Sequence, residues 1–133
     1  MDSRFLNPNE TLNRLLNEYN RHGSLFIAFD FDSTVFDYYQ KGDTFNRIES
    51  KLREAKQQGH KLILLTCREG KELEFAINYC KEHGYEPNYV NTNPIVEPGS
   101  RKPYYNLFLD DRAGLDSAYN TLCYLLSNID ANI

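Results

Sequence analysis

Short apolar runs alternate with stripes of apolar residues at helical spacing along this chain. Residues 25–29, Leu-Phe-Ile-Ala-Phe, are uninterrupted and aromatic or aliphatic, the pattern of a buried parallel strand. The runs at 61–65 (Lys-Leu-Ile-Leu-Leu) and 107–109 (Leu-Phe-Leu) repeat it, with a shorter one at 88–90 (Asn-Tyr-Val). Between them lie helical stripes. Leu12, Leu15, Leu16 and Tyr19 follow an Asn7 cap and Pro8 and end at Gly23. Phe45, Ile48, Leu52 and Ala55 mark a helix over 44–58 closed by Gly59, and Leu73, Ala76, Ile77 and Cys80 one over 71–83 closed by Gly84. Leu115, Ala118, Tyr119, Leu122 and Leu126 mark a final helix. Strands alternating with helices predict an α/β fold: a doubly wound, Rossmann-like parallel sheet with helices on both faces and right-handed crossovers. His22, His60 and His83 each adjoin a helix-closing glycine and read as C-terminal cap residues favoured by the helix dipole.

Length and composition narrow this picture. No internal repeat, low-complexity tract or linker interrupts the 133 residues, so a single domain over 1–133 is expected. With 41% hydrophobic and 26% charged residues, the composition is that of a globular chain rather than a disordered one. The net charge of -4 argues against a dedicated nucleic-acid binder, whose footprint is basic. No apolar run approaches the ~20 residues of a membrane span, and no secretory signal is visible. Cys67, Cys80 and Cys123 are odd in number and scattered. They read as free buried thiols in a reducing, cytoplasmic setting, with no zinc motif.

The candidate chemistry sits where the strands end. Asp30 and Asp32 close the first apolar run, at the carboxyl end where open α/β sheets place their ligands. The second run ends in Thr66-Cys67-Arg68, and the last in Asp110-Asp111, with Ser100-Arg101-Lys102-Pro103 on the loop before it. Taken singly, each has a plain structural reading. The first acids suit a solvated turn, Thr66 a strand end, Lys102 a surface loop, and Asp110-Asp111 a helix start. Tyr38, Tyr39, Tyr104 and Tyr105 flank the expected mouth, either to stack on a ligand or to pack on one another.

Taken in order, Asp-x-Asp-x-Thr, a hydroxyl after a strand, a lysine and an acid pair resemble the haloacid dehalogenase superfamily of phosphohydrolases. The match spans residues 25–112. Leu64-Leu65-Thr66-Cys67-Arg68-Glu69-Gly70, Ser100-Arg101-Lys102 and Leu109-Asp110-Asp111-Arg112 look like small bacterial and phage members without a cap domain. The intervals between motifs leave no room for a folded cap, since independent domains rarely fall below ~40–50 residues. One departure is Ser33, where many members carry glycine; a slightly different backbone is expected there.

The resemblance implies a Mg²⁺-dependent phosphomonoester hydrolase acting through an aspartyl-phosphate. Asp30 is then the nucleophile and Asp32 the general acid and base. Thr66 and Lys102 serve the phosphoryl group, with Cys67 (through its backbone N–H) and Arg68 as further substrate contacts. Asp30, Asp32 through its backbone carbonyl, Asp110 and Asp111 hold the metal, a hard cation suited to carboxylates and phosphate oxygens. The partner is a phosphorylated small molecule or macromolecule; self-association stays open. The substrate is expected to be read by the loops at 38–43 and 91–100. Two rival readings compete with this one. A non-catalytic binding or regulatory module would keep the fold but has no need of both Asp30 and Asp32. A response-regulator receiver domain needs its acid pair ahead of the phosphorylated aspartate, the reverse of the order here. Within the enzyme reading, nucleotidase, sugar phosphatase and polynucleotide end-phosphatase stay open.

Overall fold

The computed structural model describes residues 2–95 and 103–131. After a single 3-10 turn, Arg4–Leu6, the elements run α1 (Pro8–His22), β1 (Phe26–Phe29), α2 (Asn46–Gln57), β2 (Lys61–Leu64), α3 (Gly70–Glu82), β3 (Tyr89–Val90), β4 (Leu107–Leu109) and α4 (Leu115–Ala131). Each lies where the apolar pattern places it, within two residues at most ends. Asn7 caps α1 by accepting the Asn9 N–H, and Gly23 closes it in the left-handed conformation at φ 79°.

The four strands form one parallel sheet in the order β3-β2-β1-β4. Three asparagines continue its ladder past the strand ends. The Phe26 N–H donates to Asn106 Oδ1 at 2.7 Å, the Leu62 N–H to Asn88 Oδ1 at 2.9 Å, and the Thr66 N–H to Asn91 Oδ1 at 2.8 Å. Each side chain accepts a bond that a strand continuing in register would have accepted through its backbone.

The contiguous hydrophobic cluster lies on one side of the sheet, while Ala28 and Ile63 are fully buried on the other. Ile27 and Phe29, Leu62 and Leu64, and Leu107 and Leu109 point to one face and pack with Leu15 of α1, Leu52 of α2, Ala76 of α3 and Leu122 of α4 in a single buried cluster. The opposite face carries Phe26, Ala28, Ile63, Tyr89 and Phe108, none of which joins that cluster. Helices on both faces are therefore not what the described residues show. The reason is topological. β1, β2 and β3 step in one direction, so right-handed crossovers put α2 and α3 on the same face. The return from β3 to β4 carries no helix among its described residues, and α4 packs back beside α1 and α2.

Two histidines are built into this scaffold differently from a simple cap. His60 is buried; its Nδ1 accepts the Leu25 N–H at 3.0 Å and its Nε2 faces Gln58 Oε1 at 3.3 Å. Burial pushes its pKa down to about 4, so it is a neutral acceptor and not a cation at a helix end. His83 does close α3, but its Nδ1 lies 2.7 Å from the buried Glu49 carboxylate, which also accepts the Tyr85 hydroxyl at 2.5 Å. Of the three cysteines only Cys80 is buried; Cys67 is exposed and Cys123 half-buried, which corrects the expectation of three buried thiols. Among the described residues no helix is long and apolar enough to cross a membrane.

His60 gives a stability test with a definite sign. Its folded pKa lies below the unfolded value, so its contribution is complete above pH 6.5 and is lost as pH falls towards 4. Replacing His60 by Leu orphans the buried Leu25 N–H and is expected to cost about 1–3 kcal/mol at pH 7.5 in urea denaturation. The gap to the parent should narrow steadily between pH 6.5 and 4; a gap that stays constant would show that His60 titrates alike in both states.

Candidate functional site

The strand order reverses beside β1, with β2 and β3 on one side of it and β4 on the other. The crevice between the carboxyl ends of β1 and β4 is thus the switch point at which open α/β sheets bind ligands. The Asp30 N–H donates to the Leu109 carbonyl at 2.9 Å, extending the β1-β4 pairing one residue past the strand. That bond sets Asp30 beside Asp110 and Asp111.

The chain then folds tightly. The Phe31 carbonyl accepts the N–H groups of Thr34, Val35 and Phe36 at 3.3, 3.0 and 3.1 Å, and the Ser33 N–H donates to the Phe36 carbonyl at 2.8 Å. Ser33 sits at φ 62°, in the left-handed region that glycine enters without cost. Ser33 therefore holds a backbone form that glycine would adopt more easily. Thr34 is fully buried. Its hydroxyl donates to Asp30 Oδ2 at 3.3 Å and accepts the Asp111 N–H at 3.1 Å, tying the two acid-bearing loops together.

Asp30, Asp110 and Asp111 each offer a carboxylate oxygen, and the three oxygens lie within 4.8 Å of one another. Burial, then the charge of Asp110, then a hydrogen bond and the charge of Asp111 push the Asp30 pKa up to about 7, against the opposing pull of the Phe31 N–H. Asp110 also accepts the Arg112 N–H at 3.0 Å, so its carboxylate is fixed by its own turn. Three hard oxygen donors crowded at the end of a sheet match the donor chemistry of a divalent cation such as Mg²⁺.

Asp32 is handled differently. Arg68 grips its carboxylate with two parallel bonds, Nε to Oδ2 at 2.9 Å and Nη2 to Oδ1 at 2.7 Å, and reaches Glu72 of α3 with Nη1 at 2.9 Å. The guanidinium lies 5.0, 5.3 and 5.7 Å from the ring centres of Phe31, Phe36 and Phe75. The hydrogen bond to Asp32 raises the Arg68 pKa further, with burial opposing it. Arg68, expected to face a substrate, is thus directed at Asp32.

The remaining residues divide. Thr66 Oγ1 accepts the Arg68 N–H at 3.2 Å, which leaves its hydroxyl proton to donate outward, and Cys67 beside it is exposed. Tyr38 and Tyr39 are exposed just beyond the Asp32–Phe36 bridge, ring edge to ring face at 5.0 Å. Tyr104 does not flank this mouth. Its ring lies 6.0 Å from that of Phe26, the first residue of β1, at the opposite end of the sheet, while Tyr105 packs on Phe108. Lys102, with Ser100, Arg101 and part of the loop at 91–100, lies outside the described residues. The sequence reading gave no role to Thr34, Asn91 or the three phenylalanines around Arg68. The Asp-x-Asp-x-Thr spacing carried the signal for Thr34; nothing local marks the ring box, which joins the β1 loop to α3.

No family model matches the chain, and no curated protein matches it. Among solved structures, it is similar to a conserved protein from Bacteroides thetaiotaomicron, 29% identical, covering 83% of this chain and 93% of that one with a TM-score of 0.62. That protein is described only as conserved, so the likeness supports the Rossmann-like α/β fold and brings no activity with it.

Proposed function

We propose that this chain is a Mg²⁺-dependent phosphomonoester hydrolase of the haloacid dehalogenase type, without a cap domain. The observation that carries the reading is the crowding of Asp30, Asp110 and Asp111 at the switch point, with Asp32 two residues on. The absence of any helix or strand between Asp32 and α2, apart from one isolated bridge, supports a capless form.

Asp30, Asp110 and Asp111 would hold the cation, which when bound offsets their mutual repulsion and the charge of the phosphoryl group. Thr34 engages Asp30 Oδ2 and so orients the carboxylate that would attack phosphorus. The bond from phosphorus to the ester oxygen breaks as the bond to Asp30 forms, and Asp32, protonated and released from one of its two bonds to Arg68, gives its proton to the departing alcohol. Asp32 then takes a proton from the water that hydrolyses the aspartyl-phosphate, returning Asp30 as a carboxylate. Thr66 would donate its hydroxyl to a phosphoryl oxygen and Cys67 its backbone N–H. Lys102 enters this scheme only through the resemblance, as a neutralising charge. Arg68 keeps Asp32 in one orientation and so acts as a positioning residue.

Hydrolysis of an aryl phosphate is expected to stop in excess chelator and to return with Mg²⁺; turnover that persists in chelator would remove the metal from the scheme. Folding supplies a second readout. Burial first, and the neighbouring acids second, make ionised Asp30 costly in the folded state; that cost is absent below pH ~4, builds as pH rises from there and is complete above about 7. Asp30→Asn should therefore stabilise the metal-free protein at pH 8 by about 2 kcal/mol, discounted for the solvent that reaches the carboxylate, and by almost nothing at pH 4. Mg²⁺ should raise the melting temperature of the parent at pH 8 and shift Asp30→Asn much less.

Asp32 and Arg68 are separated by the leaving group. Asp32→Asn is expected to slow esters of poor leaving groups most, and to let the phosphorylated Asp30 accumulate for detection by mass spectrometry after quenching. Arg68→Gln should reproduce the leaving-group dependence in weaker form, with kcat falling more than KM rises, and Arg68→Lys should recover only part, because Lys cannot grip both oxygens. An equal loss on every ester, with no adduct, would leave Asp32 a structural residue.

A further inference from the structure

A cavity of about 740 Å³ opens directly beside the carboxylate cluster, between the first turns of α2 and α4. Asp111 belongs to both: it contributes to the three-carboxylate group and to the cavity wall. The rest of the wall is largely apolar and partly aromatic, with Phe45, Ile48, Leu115 and Tyr119, and Arg47 is the cation among the lining residues. This size and mixture are those of a small-molecule site. We infer that the cavity is the subsite for the alcohol part of the substrate, and that this alcohol carries a flat ring, as a nucleoside or an aryl alcohol does. The inference rests on the phosphohydrolase reading above and names the substrate class for that site.

Steric occupation gives the direction. On the α3 side of Asp30 the space is filled: Arg68 spans Asp32 and Glu72 and lies over Phe31, Phe36 and Phe75. A bulky alcohol attached to a phosphoryl group at the cluster cannot extend that way without breaking the ion pairs. On the other side, past Asp111, the wall recedes into the cavity. Phe45 and Tyr119 supply apolar ring surface, which suits a flat partner and gives little to a small polyol. A phosphomonoester of glycerol would use the carboxylate cluster and leave the cavity to water.

The test uses the full chain and Thr44→Trp, which places bulk at an exposed residue of the cavity wall outside the machinery assigned above. Three probes are compared: adenosine 5′-monophosphate, 4-nitrophenyl phosphate and glycerol 1-phosphate. The substitution should lower kcat/KM about tenfold or more for the ring-bearing esters and hold glycerol phosphate within about twofold. Ile48→Ala, which enlarges the cavity, should weaken the same two selectively. Loss on all three alike, or on none, would overturn the subsite; loss on only one ring-bearing ester would identify which source of ring it takes. Binding is read separately, by amide shifts of Phe45, Ile48 and Tyr119 on titration with adenosine 5′-monophosphate. If the parent hydrolyses no ester but these amides shift saturably and Thr44→Trp abolishes the shifts, the ring subsite stands and the hydrolase reading falls. If those amides do not move, the subsite falls whatever the activity.

Discussion

Three carboxylates held within 4.8 Å of one another at the end of a parallel sheet are the constraint to which the site is fitted. Like charges at that spacing repel, and the partial burial of Asp30 removes much of the water that would screen them. The arrangement survives because it is fixed by groups that do not depend on the charge. The Asp30 N–H is bound to the Leu109 carbonyl, the Thr34 hydroxyl joins Asp30 to the Asp111 backbone, and Phe29 and Leu109 beneath are fully buried. The core thus supplies the rigidity, and the raised pKa of Asp30 is the measure of the residual conflict. A site in this condition favours any divalent cation or proton that reaches it.

The adjoining acid lives in the opposite environment. Asp32 is two residues from Asp30 but inside the tight turn whose Phe31 carbonyl collects three N–H groups. The two carboxylates consequently meet different partners. One faces acids; the other faces Arg68. Separate surroundings for neighbouring titratable groups are how one scaffold assigns them separate chemical duties. The box of Phe31, Phe36 and Phe75 serves the same division, because stacked rings hold a guanidinium in place without competing for its hydrogen-bond donors.

How much of this was legible depends on the range of the interaction. The strands and helices were readable, because apolar periodicity is a local property, and so was the carboxyl-end placement of Asp30, Asp110 and Asp111. The packing of all four helices into one cluster was not, since it depends on how α4 returns beside α2 and on a β3-to-β4 connection with no helix among its described residues. His60 looked like a helix-end cation from its position after Gly59. It is a buried acceptor because Leu25, remote in sequence, presents an N–H that no strand neighbour takes. Asn91 reads as a loop residue and Asn88 as the start of a strand, and nothing local shows that their side chains, with that of Asn106, finish the ladder. Arg68 was assigned to a ligand because an arginine beside a site suggests an anion; the anion it meets is Asp32.

These long-range fixtures also bear on where specificity can reside. The sheet end, the Asp30–Thr34 turn and the Arg68 box are tied by bonds that leave little freedom, so they are suited to a reacting group common to many substrates. The walls that differ in chemistry from that centre are the first turns of α2 and α4, which meet the acids only through Asp111. Substitutions at Thr44, Phe45 or Tyr119 can alter that wall without touching the bonds that position the carboxylates. The fold therefore separates the part that must stay fixed from the part that can vary, and the boundary between them runs through a single aspartate.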